Sequence, residues 1–278
     1  MALTFPPGPL SAEPGQSNYT IDGPQHRILL TPTDKRIRLV VGDGAGGTRT
    51  VLDTTGAVIL HETGILPRYY VPFADVDPDV LVPSDTSTHC PFKGDATYRS
   101  VKAGDRLVED LLWRYESPNP KLPGLHGLAG LYLEKLDLEP GATSGDAVLE
   151  EDEPITGTHP RDPFHRVDAR PSSRHVHVLW HRPDGETVTL ADTTRPIGVF
   201  ETALPARWYI PVADVRTDLL VGSDTRTTCG YKGVATYRSV SGGPADVAWG
   251  YETPLPEAIL LPGHLSFLGE GIEVAVTP

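Results

Sequence analysis

Cysteine is nearly missing from this chain, with two in 278 residues. Two cysteines cannot build a disulfide framework, and their scarcity fits a reducing cytoplasm, where the chain is expected to reside. Long apolar runs are also missing. No window approaches the ~18 consecutive apolar residues of a membrane-spanning helix, so no membrane partner is expected. The first residues, Met1-Ala-Leu-Thr-Phe-Pro-Pro, offer no basic region followed by an apolar one and do not read as a secretory signal. Positive charge is short: the formal net charge is −13 and both halves are acidic. A phosphate backbone would be repelled on average, which argues against nucleic acid as a partner. Lysine is especially scarce in the second half, where Lys232 stands alone among ten arginines.

Glycine and proline are plentiful, 28 of each. That much punctuation suits many short strands joined by turns better than long helices. The strongest feature is an internal repeat. Residues 68–101 and 207–240, at a constant offset of 139, share 22 of 34 positions without a gap. The match reaches upstream, pairing Asp53-Thr54-Thr55 with Asp192-Thr193-Thr194 and Glu62-Thr63 with Glu201-Thr202. After a three-residue deletion it resumes, with Trp113-Arg114-Tyr115-Glu116 opposite Trp249-Gly250-Tyr251-Glu252. A period this long means that each copy is a domain with its own core. We expect a flexible leader over 1–23, a first domain over 24–140, an acidic linker over 141–158 and a second domain over 159–278.

Within each copy the signals are those of strands. Arg36–Val41 and Arg174–Trp180 alternate polar with apolar residues, as half-buried strands do. Turn residues and Thr/Val-rich segments follow them, which is a hairpin pattern. The run Gly42–Gly47, with no glycine-rich equivalent in the second copy, reads as a loop insertion. Tyr69–Val71, Ala96–Val101 and their mates are β-rich, and Leu131–Leu138 and Phe267–Val276 are candidates to close a sheet. The helix-like pieces are Pro72–Val76 and Pro211–Val215, one turn each, begun by proline. The expected class is mainly β, with little helix.

The duplicated polar residues are the candidates for chemistry. Cys90 and Lys93 recur as Cys229 and Lys232 in the same Cys-x-x-Lys-Gly setting. A half-chain that otherwise uses arginine keeps lysine here, which points to a need for a compact ammonium rather than a guanidinium fork. An ammonium near a thiol favours the thiolate, so the pair reads as a nucleophile with its activator. The competing reading is a buried small cysteine and a surface lysine before a glycine turn. Arg68 and Arg207 suit an anionic group, or else a structural pair with Asp75 and Asp214. Tyr98 and Tyr237, with Trp113, Tyr115, Trp249 and Tyr251, read as pocket walls or as core, the Trp/Tyr pairs at i, i+2 sharing one strand face. Asp85 and Asp224, in Ser-Asp-Thr, read as turn residues. His89 is replaced by Thr228, so it is no shared base. His159, His165, His175, His177 and His181 crowd the start of the second copy, where the first offers only His26. His-x-His on a strand lacks the remaining ligands of a metal site, so no metal or other cofactor is expected.

The strings Arg-[Tyr/Trp]-Tyr-[Val/Ile]-Pro-x-x-Asp-Val, Ser-Asp-Thr-x-Thr-x-Cys-x-[Phe/Tyr]-Lys-Gly-x-Ala-x-Tyr and Trp-x-Tyr-Glu-x-Pro resemble those of the bacterial and fungal domain-of-unknown-function family 427. His159–Asp168 is similar to that family's lead-in to a second copy. The resemblance implies a compact fold similar to the β-tent, here without the paired Cys-x-x-Cys zinc knuckles of some relatives. The family sometimes carries a nucleotidyltransferase label, but the chain has no Gly-x-x-x-x-Gly-Lys-Ser/Thr loop to match it. From the residues themselves we expect one small-molecule pocket per domain, with an anionic ligand, built around Arg68, Cys90, Lys93, Tyr98, Trp113 and their mates. Such a pocket would serve a Cys/Lys-based enzyme. The alternative is a non-catalytic binding or interaction module whose two repeats pair within the chain like a fused dimer.

Overall fold

The computed structural model describes residues 26–138, 142–202 and 204–278. The chain divides into two units, Met1–Asp162 and Pro163–Pro278. The first contains β1 (Ile28–Pro32), β2 (Ile37–Gly42), β3 (Thr48–Thr54), β4 (Val58–Glu62), β5 (Ile65–Pro72), β6 (Leu81–Cys90), β7 (Gly94–Ala103), β8 (Arg106–Tyr115), β9 (Leu128–Leu131), β10 (Ala147–Glu150) and β11 (Glu153–Pro154). The second contains β12 (Val167–Pro171), β13 (His175–His181), β14 (Thr187–Thr193), β15 (Ile197–Glu201), β16 (Arg207–Pro211), β17 (Leu220–Cys229), β18 (Gly233–Val240), β19 (Ala248–Gly250), β20 (His264–Phe267) and β21 (Ile272–Thr277). Helix among the described residues is confined to three-residue 3-10 turns, including Phe73–Asp75 and Val212–Asp214 after their prolines.

Each unit holds a seven-stranded antiparallel sheet of one topology, β1-β4-β5-β9-β8-β7-β6 in the first and β12-β15-β16-β20-β19-β18-β17 in the second. A smaller sheet lies against one face: β11-β10-β2-β3, or β14-β13-β21. Strand alternation assigns neighbouring residues to opposite faces. Tyr69 and Val71 enter the core between the two sheets with Ile37, Leu39 and Val148, whereas Tyr70 belongs to a second cluster with Tyr98, Trp113 and Tyr115. The second unit divides in the same way, with Ile210 in one core and Tyr209 in the other. The duplicated aromatics therefore line the face of the large sheet that turns away from the small one.

Two sequence expectations need correction. The acidic segment read as a linker carries β10 and β11, and β10 pairs with β2 over Ala147–Glu150. Asp146 anchors this segment by accepting from Gly42 N (3.0 Å), from Asp137 N (3.0 Å) and from Arg106. β21 takes the corresponding place beside β13 in the second unit, so each small sheet is completed from the C-terminal end of its unit. The acid-rich composition hid a strand of only four residues. The run Gly42–Gly47 is no insertion either: the turns joining β2 to β3 and β13 to β14 have the same length, and only their composition differs.

The large sheet is strongly curled. Between β4 and β7 lie β5, β9 and β8. Flat packing at about 4.8 Å per strand would separate β4 from β7 by about 19 Å. Yet Lys93, in the turn between β6 and β7, forms an ion pair with Glu62 at the end of β4. The two flanks of the sheet close towards one another over the aromatic face.

Candidate functional site

Three elements place the polar group at this closure. Glu62 ends β4. Its neighbour Thr63 donates its amide to the Arg27 carbonyl (3.1 Å) and accepts the Arg27 amide on Oγ1 (3.0 Å). This double clamp fixes the chain just before β1 and sets His26 beside Glu62. Lys93 arrives from the β6–β7 turn, where Gly94 adopts φ +104°, a conformation L side chains rarely take. The Asn119 amide then grips the Lys93 carbonyl (2.9 Å). The outcome is a carboxylate shared by an imidazole and an ammonium. His26 Nε2 lies 2.9 Å from Glu62 Oε1, and Lys93 Nζ pairs with Glu62 Oε2.

The second unit repeats every part of this. Thr202 clamps Arg166, Gly233 has φ +97°, and the Leu255 amide holds the Lys232 carbonyl. His165 Nε2 lies 3.0 Å from Glu201 Oε1, while Lys232 pairs with Glu201 Oε2. In each unit the aromatic residue before the lysine lies flat on the imidazole. His26 stacks on Phe92 at 3.6 Å between centroids, and His165 on Tyr231 at 4.2 Å.

These charges are withdrawn from water: the Lys93 and Glu62 side chains are 9% and 4% exposed. Burial pushes the Glu201 carboxyl up, but hydrogen bonds from His165 and Lys232, and their charges, outweigh it and hold the group below the usual carboxylate range. Ionised Glu201 can only accept, so the imidazole of His165 presents a proton to it on Nε2. The phenols around the site are held neutral. Burial first, then neighbouring Tyr115, raises Tyr70 far above the ordinary phenol range, and burial likewise raises Tyr115, Tyr209 and Tyr251.

The sequence candidates fall as follows. Cys90 and Cys229 end β6 and β17 as free, half-buried thiols packed against the aromatic face. Lys93 and Lys232 are buried rather than surface groups, and each ammonium is engaged by a carboxylate from which two strands separate it in the sequence. Trp113 donates Nε1–H to Tyr70 Oη (3.0 Å), as Trp249 does to Tyr209 (3.2 Å). Tyr98 and Tyr237 bond Thr88 and Thr227 through their hydroxyls. Tyr115 and Tyr251 share the face with these tryptophans. Arg68 pairs with Glu134, whereas Arg207 lies 5.8 Å over the Trp249 ring. Neither arginine pairs with Asp75 or Asp214, which instead accept from Thr54 and Thr193.

Asp85 and Asp224 are exposed; it is their neighbours that make the bonds. Ser84 and Thr86 donate to Asp110 at 2.5 and 2.8 Å, and Thr225 donates to Asp246 at 2.6 Å. His175, His177 and His181 lie along β13, each bonded to a neighbouring strand. Among the described residues no three His, Cys, Asp or Glu side chains converge as metal ligands.

Sequence reasoning missed His26, His165, Glu62 and Glu201 as site residues. The signal was present: the offset of 139 maps His26-Arg27 onto His165-Arg166 and Glu62-Thr63 onto Glu201-Thr202. No curated protein matches the chain. The family model described as Domain of unknown function (DUF427) matches it twice, over residues 29–140 and 168–277, one match in each unit. These two matches take in most of the sequence, and the chain therefore belongs to the DUF427 family, as a tandem member.

Proposed function

We propose that each repeat binds a small molecule on its aromatic face and that the carboxylate-oriented imidazole, His26 or His165, is the acid–base group of that site. The observation that supports this reading is the recurrence of the same buried His–Glu–Lys arrangement in both units, while residues around it have drifted. Stability alone is a weak reason to keep it, because a buried ion pair gains little over well-packed apolar residues of the same size. A buried carboxylate on one imidazole nitrogen fixes the tautomer and stabilises the imidazolium that forms when the other nitrogen takes a proton. The lysine neutralises the carboxylate, so a substrate of either charge can approach. Cys90 and Cys229 supply the nucleophile available on the same face.

The test is iodoacetamide alkylation of the intact chain across pH, followed at each cysteine by peptide mass spectrometry. On this reading both thiols react, and His26→Gln and His165→Gln each slow the cysteine of their own repeat near neutral pH. Thiols that stay inert, or that react alike in all variants, would remove the catalytic part. The second reading, a non-catalytic module, would then stand, favoured by the way the ion pair closes the two flanks of the curled sheet.

A further inference from the structure

The two aromatic faces differ in one respect that decides what can bind there. In the first repeat Trp113 lies flush on the sheet, because the residue beneath it is Gly130. A Cβ at that position would fall well inside van der Waals contact of the indole. Tyr132 then caps the face, its ring 4.3 Å from Trp113 and 6.2 Å from Tyr98. Arg68 is tied to Glu134. Tyr98 and Trp113 are buried as a result, at 6% and 7% exposure.

In the second repeat Ser266 replaces Gly130, so an indole cannot lie flush. Trp249 instead stacks beside Tyr237 at 6.2 Å and 29°. The cap is gone: Leu268 stands where Tyr132 stood, its amide on the Val247 carbonyl as that of Tyr132 is on Leu111, and its side chain is 53% exposed. Arg207 has no ion pair among the described residues and hangs over Trp249. Tyr237 and Trp249 are half-buried.

We propose that the second repeat alone holds an open seat for a planar aromatic carboxylate. The ligand ring stacks on the Tyr237–Trp249 platform, and its carboxylate takes the fork of Arg207 in a bidentate pair. The single free guanidinium sets the charge: Lys232 is already neutralised by Glu201, so the site matches a monoanion rather than a phosphate dianion. The first repeat is closed by its own Tyr132 and Glu134. The proposal rests on the reading of the aromatic face as a ligand surface, but not on the acid–base role of the imidazole.

The experiment is calorimetric titration of the intact chain with 2-naphthoate, with 2-naphthyl phosphate and 2-naphthylmethanol as charge controls. The expected result is one site per chain, with naphthoate bound more tightly than either control. Arg207→Gln should weaken naphthoate at least about tenfold, the scale of a lost charge-assisted pair, and abolish the preference over the alcohol. Leu268→Tyr, at an exposed position that tolerates a larger side chain, should cap the seat and remove binding with the melting temperature kept. Tyr132→Leu with Glu134→Gln should open the first repeat and raise the stoichiometry to two. Two sites in the unaltered chain, tighter binding of the phosphate, no binding at all, or binding indifferent to Leu268→Tyr would each overturn the proposal. Binding is read without turnover, so its failure would leave the alkylation test of the imidazole standing, and the reverse also holds.

Discussion

Replacing Lys232 by methionine probes the buried group most directly. The ammonium and its partner carboxylate are 10% and 8% exposed, so the substitution leaves Glu201 buried with one partner fewer. Removing one member of a buried pair costs about 3–5 kcal/mol, because the remaining charge is neither solvated nor compensated. His165 stays bonded to the other oxygen and can take a proton, which places the cost near the lower end, about 3 kcal/mol. Glu201→Gln should also destabilise, and the double variant should recover much of the loss, giving a coupling of about 2–3 kcal/mol. Urea unfolding followed by tryptophan fluorescence suits the measurement, since Trp180, Trp208 and Trp249 all lie in the second repeat, and the first has only Trp113. Single-variant costs below about 1 kcal/mol, with no coupling, would make the pair equivalent to a surface ion pair and refute the reasoning.

Other expectations follow from the same geometry. Glu201 is held below its ordinary value of 4.5, so its contribution is complete above that pH and is lost as pH falls through the lower folded value. Acid unfolding monitored by fluorescence should therefore be less steep in Glu201→Gln, and an unchanged curve would count against the buried carboxylate. Gly130→Ala should cost at least about 1–3 kcal/mol by driving a methyl group into Trp113, whereas Ser266→Ala should cost less, and thermal melts compare the two. Asp110 sits at φ +52° with its amide on Ser100 Oγ and its carboxylate on Ser84 and Thr86. Asp110→Ala loses the two carboxylate bonds and keeps the strained backbone, so it should destabilise by about 2 kcal/mol or more, while Asp110→Gly should recover part of the loss.

How much of this was legible in the sequence depended on how the identities were spread. The two domains, their β class and the aromatic strips showed because matches crowd into one ungapped block and because Trp113 and Tyr115 repeat at strand spacing. Cys, Lys, Arg and Tyr were found there for the same reason. His26 and Glu62 lie outside the block as isolated matches, and a sequence does not show that a curled sheet brings β4 to the β6–β7 turn. Lysine rather than arginine at 93 and 232 was noticed correctly, yet its visible sequence neighbour was a cysteine and its spatial partner a glutamate 31 residues away. The strand β10 is hidden in the sequence because it has only four residues, inside an acid-rich stretch. In Ser-Asp-Thr the composition points to Asp85 and Asp224 as the turn residues, yet the segment lies within β6 and β17. The alternation of the strand gives the bonding to the serine and threonine instead.

The central claim is that a buried carboxylate orients one imidazole in each repeat and leaves its other nitrogen free to take a proton. Long-range ¹H–¹⁵N correlation spectra of the histidine side chains, recorded on the intact chain near neutral pH, report the tautomer of each ring. For His26 and His165 the account predicts a proton on Nε2 and an unprotonated Nδ1, with both signatures shifting when Glu62 or Glu201 is changed to Gln. Nδ1-protonated rings, or rings averaging between tautomers as free histidine does and indifferent to those substitutions, would contradict it.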